Sequence, residues 1–201
     1  MNIEAGGSKR VDRPASHQVR SKDARCVFSG VIFKVWQWEE SLADGRKVTF
    51  EQLTRPDTVL VLPVSDSGDL YLAEEKQPGI KMMLHAIGGR VDPGEDVTNA
   101  ARRELLEESG LEASELRLWD AWQPSVKIDW AVYLFVAHGL KLHGTPIIDA
   151  SEVIRLRRIS RAELLSPNSQ FFIEDYELMH KLYYARSNDS ERMRVLKILE
   201  P

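Results

Sequence analysis

Residues 89–111 read GRVDPGEDVTNAARRELLEESGL, and this stretch decides how the rest of the chain is read. Within it Val97, Ala100, Ala101, Leu105 and Leu106 recur at helical spacing, against a polar face of Arg103, Glu104, Glu107 and Glu108. Gly110 is placed to end that helix as a C-cap. Glu104, Glu107 and Glu108 stand at i, i+3 and i+4, so they share one helix face, where like charges repel. A cation between them reverses that sign. Hard divalent ions, Mg²⁺ above all, take carboxylate oxygens and keep several waters. Such an ion bridges phosphate oxygens and lowers the pKa of a bound water. Ahead of the helix, Gly89 and Gly94 allow backbone to approach a ligand or metal closely. Arg103 has two readings: it reaches a substrate, or it pairs with a carboxylate such as Glu95 and pins the loop to the helix. Taken alone, the run RRELLEES also fits a solvated face of surface ion pairs.

Working outward, the elements alternate in type. Residues 26–38 are apolar and β-branched and read as a strand, with Cys26 as a buried strand residue. Asp44-Gly45 turns the chain, and 47–53 returns to complete a hairpin. Residues 58–64 are continuously apolar, the pattern of a buried central strand. Further strands are expected at 70–73, 84–87, 116–122, 130–137 and 152–159, with helices at 160–165 and 172–186. Strands mixed with a few helices predict an α/β sandwich. Residues 1–24 are polar, with Gly6, Gly7 and Pro14, and predict a flexible tail or an arm that orders against a partner, ahead of one domain at 25–201.

Composition narrows the function classes. A net charge of -4 offers no basic field to hold a long nucleic acid, so no nucleic-acid partner is expected. One cysteine rules out an intrachain disulfide and makes a Cys-based zinc site untenable, and it suggests a reducing compartment. There is no membrane-length apolar run and no secretory h-region, so a cytoplasmic protein without a membrane partner is expected.

The 89–111 segment resembles the Nudix box, G-x5-E-x7-R-E-U-x-E-E-x-G-U with U a bulky aliphatic. Gly89, Glu95, Arg103, Glu104, Leu105, Glu107, Glu108, Gly110 and Leu111 meet every specified position. The resemblance implies a mixed β-sheet sandwiched between helices. It implies that Glu104, Glu107 and Glu108 hold Mg²⁺ (Mn²⁺ as the alternative), joined by the Gly88 carbonyl, and that Glu95 and Arg103 form a structural pair. The implied reaction is attack of water on a phosphorus of a nucleoside diphosphate linked to another group.

Outside the box the chain is similar to ADP-ribose and nucleoside-diphosphate-sugar pyrophosphatases, on the hairpin before 58–64, on Pro124, on Asp129 and on 151–156. By that resemblance Glu152 is a candidate general base or extra metal ligand, with Asp149 second, and Asp129 a candidate substrate contact. A surface carboxylate is the competing reading for Glu152. Two positions depart from the pattern. Glu75-Lys76-Gln77 stands where Gln-x-Arg is usual, and His85 where Glu is usual, which leaves Gln77 and His85 as candidate selectivity residues. His85 also reads as a filler of a polar slot beside the sheet. The resemblance implies a homodimer built through the N-terminal hairpin, where Trp36 and Trp38 share a strand face. Other Nudix substrates (dinucleoside polyphosphates, GDP-sugars, oxidised nucleotides) and a non-catalytic sensor remain alternatives; the sensor reading is weakened because all box glutamates are present.

Overall fold

The computed structural model describes residues 11–76, 79, 81–146 and 153–201. In chain order the elements are β1 (Arg25–Ser29), β2 (Lys34–Ser41), β3 (Lys47–Thr54), β4 (Thr58–Pro63), β5 (Leu70–Lys76), β6 (Met83–His85), β7 (Ile87–Arg90), α1 (Val97–Ser109), β8 (Leu111–Trp122), β9 (Ile128–Asp129), β10 (Val132–Leu142), β11 (Val153–Ile159), α2 (Arg161–Leu165), α3 (Tyr176–Ser187) and α4 (Asp189–Ile198). They form three sheets of order β1-β2-β3-β9, β7-β4-β10-β8 and β11-β5-β6.

The middle sheet organises the core. β10 runs parallel to β4 and antiparallel to β8, and β7 closes the other side of β4 antiparallel. Successive side chains of a strand point to opposite faces. Val59 and Val61 accordingly pack with Ala100, Ala101 and Leu105 of α1, while Leu60 and Leu62 pack with Leu164 of α2, Leu178 and Leu182 of α3 and Val195 of α4. Helices on both faces of a mixed sheet make an α/β sandwich, which is why 58–64 is apolar without alternation.

α1 ends at Gly110 as its sequence indicates, and the structure adds its N-cap. The Asp96 carboxylate caps the N-terminus, accepting from the backbone N–H groups of Thr98 and Asn99. Gly110 adopts a left-handed φ of 69°, and its N–H donates to the Leu106 carbonyl at 2.8 Å. A Cβ there would also meet the Gly144 carbonyl oxygen at 2.3 Å, so glycine is required twice over.

Several expected boundaries move. The single strand at 26–38 is two, β1 and β2, reversed through a turn closed by the Gly30 N–H donating to the Phe33 carbonyl at 2.9 Å. The hairpin is therefore a three-stranded meander. Cys26 is exposed, not buried, because β1 is an edge strand whose five residues are all exposed. Residues 172–175 precede α3 and do not belong to it, and α4 is an additional helix. Of the 1–24 segment, residues 11–24 form neither strand nor helix but lie along the domain. The Gln52 amide donates to the Gln18 carbonyl at 2.7 Å, Gln123 donates to the Pro14 carbonyl at 3.0 Å, and the Arg20 guanidinium lies 4.2 Å over Trp36. Among the described residues, no helix is long and apolar enough to cross a membrane.

Candidate active site

β7 brings Gly88 and Gly89 against α1. A Cβ on Gly89 would stand 2.5 Å from the Glu104 carboxyl group, and one on Gly88 would stand 2.1 Å from the Val59 carbonyl oxygen. The double glycine thus admits β4 on one side and the Glu104 carboxylate on the other. The Gly88 N–H donates to Glu108 Oε2 at 3.1 Å. Backbone and box carboxylates are already in contact at this point.

Arg103 is the hub of the box. Its Nε and Nη2 fork onto the two oxygens of Glu95 at 3.0 and 2.9 Å, and Nη2 also donates to the Arg90 carbonyl at 2.9 Å. Its Nη1 donates to Glu104 at 2.7 Å and to Glu107 at 3.2 Å. The bidentate grip ties the loop to the helix. It holds the Glu95 carboxyl below the ordinary range, chiefly through the Arg103 hydrogen bond, and raises the Arg103 guanidinium through the same bond. Glu104 is 8% exposed, and burial pushes its carboxyl up, against the lowering effect of Arg103.

The chemistry of these donors suits a hard divalent ion: three carboxylates on one helix face and a backbone loop with no room for a side chain. The carboxylates are turned to different partners. Arg103 stands between Glu104 and Glu107, and Glu108 turns to Gly88. A guanidinium here supplies the positive charge that a helix face of three glutamates requires.

The remaining candidates fall in different places. His85 lies on β6 with Nε2 2.6 Å from Glu75 of β5 and Nδ1 2.7 Å from the Ala86 carbonyl. Asp129 belongs to a second cluster, where Arg13 bridges it and Asp57 at 2.8 and 2.7 Å. That cluster reaches the box loop through the Asp57 carbonyl, which accepts from Val91 N–H at 2.8 Å. Gln77, Glu152 and Asp149 lie outside the described residues.

Two cations escaped the sequence reading. The Arg55 guanidinium lies 4.4 Å over the Trp130 ring and 5.7 Å from the Phe33 ring, and its Nε is buried without a hydrogen-bond partner among the described residues. Burial and, after it, the charge of Arg90 lower its pKa. Arg90 follows directly on the double glycine. Arg55 carries no local motif, since its aromatic neighbours come from 33 and 130, and only the fold joins them.

Residues 54–182 match the NUDIX domain family. The chain belongs to the Nudix family. The family match and the pyrophosphatase relative support a pyrophosphohydrolase, and the matched span includes residues 89–111. A methanol dehydrogenase activator of Bacillus methanolicus is 25% identical over 167 residues, covering 82% of this chain and 90% of the relative. An ADP-ribose pyrophosphatase of Bacillus subtilis (strain 168) is 23% identical over the same shares of the two chains. A crystal structure of an ADP compounds hydrolase superposes with a TM-score of 0.67 at 22% identity, over 90% of this chain and 96% of the other, which shows the Nudix fold.

Proposed function

We propose that this enzyme hydrolyses the pyrophosphate bond of a nucleoside diphosphate linked to a sugar, releasing a nucleoside monophosphate and a sugar phosphate. The observation that carries the reading is the packing of the Glu104 carboxylate into the space left by Gly89, with Glu107 and Glu108 on the same helix face. Glu104, Glu107, Glu108 and the Gly88 carbonyl would hold Mg²⁺, with Mn²⁺ as the alternative. When bound, the ion offsets phosphate charge and lowers the pKa of a coordinated water.

The chain's own groups account for the rest. Arg55, held against the Trp130 and Phe33 rings, offers a guanidinium donor to the diphosphate. Arg103 keeps the box loop on α1, so the carboxylates stay on one face. Glu152 is the proposed general base. His85 and Gln77 are the proposed selectivity positions. The relative that is an ADP-ribose pyrophosphatase supports the substrate class. A cytoplasmic location is proposed on the single cysteine, whose thiol is exposed and free.

The test is hydrolysis of a panel with Mg²⁺: ADP-ribose, other nucleoside-diphosphate sugars, dinucleoside polyphosphates and oxidised nucleotides, with products identified by mass. Preference for a diphosphate-linked sugar supports the reading. Turnover confined to dinucleoside polyphosphates or oxidised nucleotides replaces the substrate class.

A further inference from the structure

Ala86 is the residue at which the chain leaves one sheet and enters another. β6 ends at His85 in the β11-β5-β6 sheet, and β7 begins at Ile87 in the middle sheet. Ala86 is 0% exposed, so its peptide groups must find partners inside the protein. Both partners are side chains. Its N–H donates to Asp175 Oδ2 at 2.8 Å, and its carbonyl faces His85 Nδ1 at 2.7 Å. The other nitrogen of His85 lies 2.6 Å from Glu75, which is 6% exposed.

Asp175 is committed to this contact at the expense of a local one. It occupies the N-cap position of α3 yet makes no side-chain bond to that helix. An aspartate there normally satisfies the helix's own free N–H groups. Here its carboxylate reaches a residue 89 positions away in sequence. The neighbouring Glu174 N–H donates to the Leu84 carbonyl at 2.8 Å, so the chain before α3 is fastened along β6 at two points. Burial raises the Asp175 carboxyl, against the Ala86 N–H and the His85 ring, which favour its charged form. Two residues beyond Ala86 comes Gly88, whose N–H meets Glu108.

We propose that Asp175, together with the His85–Glu75 pair, is a positioning device for the Nudix box. It fixes the Ala86 peptide and, through Ile87, sets the Gly88–Gly89 backbone against Glu108 and Glu104. The C-terminal helices thereby hold the strand that carries the box glycines. The role rests on reading Gly88, Glu104, Glu107 and Glu108 as the hydrolytic site. It is a role in turnover and ion demand, separate from substrate recognition.

The experiment compares the full chain with Asp175→Ala and Asp175→Asn, using the best substrate of the panel over a range of Mg²⁺ concentrations. Loss of an outer partner of a metal site lowers activity or metal affinity about tenfold or more. Asp175→Ala is expected to lower kcat about tenfold and raise the Mg²⁺ concentration for half-maximal rate, with the nucleotide KM within about twofold. Asp175→Asn keeps an oxygen for the Ala86 N–H and is expected to recover most of kcat. If Asp175→Ala does not fold, Asp175→Glu, which displaces the carboxylate by one methylene, serves in its place. Unchanged kcat and Mg²⁺ dependence, with only a lower Tm, would overturn the proposal. Glu108→Gln, assayed alongside, separates the two levels. If it loses activity while Asp175→Ala does not, only the positioning role fails; if it keeps full activity, the hydrolytic site and the positioning role fail together.

Discussion

Gly89 and Glu104 show how closely single residues are fitted at this site. The Glu104 carboxyl occupies the volume a Cβ at 89 would need, 2.5 Å away. Gly89→Ala therefore displaces a buried carboxylate or the strand that carries residue 89. A loss of about 1–3 kcal/mol is expected from such overpacking, read in denaturant melts, together with a fall in kcat. A normal melt with normal kcat would show that the space is not needed. Glu95 gives a pH prediction. Arg103 holds its folded-state pKa below the ordinary value of 4.5, so the bond contributes stability above that value and loses it as pH falls through the folded pKa. Glu95→Gln is expected to lose less stability than the parent chain as pH falls from neutral to about 2. Equal losses would show that the pair adds nothing. The box glutamates were singled out by the resemblance of the whole 89–111 pattern, since their spacing alone also fits a solvated helix face. The partners of Asp129 and Asp175 were not legible, since Arg13 and Ala86 lie 116 and 89 positions away.

Among the elements, α1 was readable in its apolar period and its C-terminal glycine, while its N-cap, Asp96, is a finding of the structure. Its apolar residues recur at helical spacing, Asp96 caps its start and Gly110 its end. Asp96→Ala is expected to cost about 1 kcal/mol, the usual value of an N-cap, measured as a shift in denaturant midpoint. Gly110→Ala is expected to cost more, because alanine is strained at a φ of 69° and its Cβ meets the Gly144 carbonyl. A smaller loss at 110 than at 96 would contradict this account of the helix end. Other elements were hidden for physical reasons. β9 has two residues and exists through parallel pairing with Leu53 and Thr54 of β3. Half of the ten residues of α4 are charged and only Val195 is buried, so little apolar period marks it. The apolar residues before α3 imitate a helix start, but Ile173 packs into the core from an irregular segment.

On the scale of the whole molecule, the N-terminal sheet carries an apolar surface that the described chain leaves open. Val27, Phe28 and Val31 are 53%, 57% and 96% exposed, with Ile32 and Phe33 beside them. Several exposed large apolar side chains on one sheet suit an association surface. We propose a second copy of the chain as its partner, giving a homodimer. Light scattering after size exclusion is expected to give twice the chain mass of 22.9 kDa, and a monomer at micromolar concentration would exclude the dimer. The central claim is that the α1 carboxylates perform hydrolysis of a diphosphate. The most direct measurement is Mg²⁺-dependent product release by the parent chain and by Glu108→Gln on the preferred diphosphate-linked sugar. Loss of kcat by about a hundredfold or more in the variant, with an unchanged melt, is the predicted result. Equal turnover by the two proteins would contradict it.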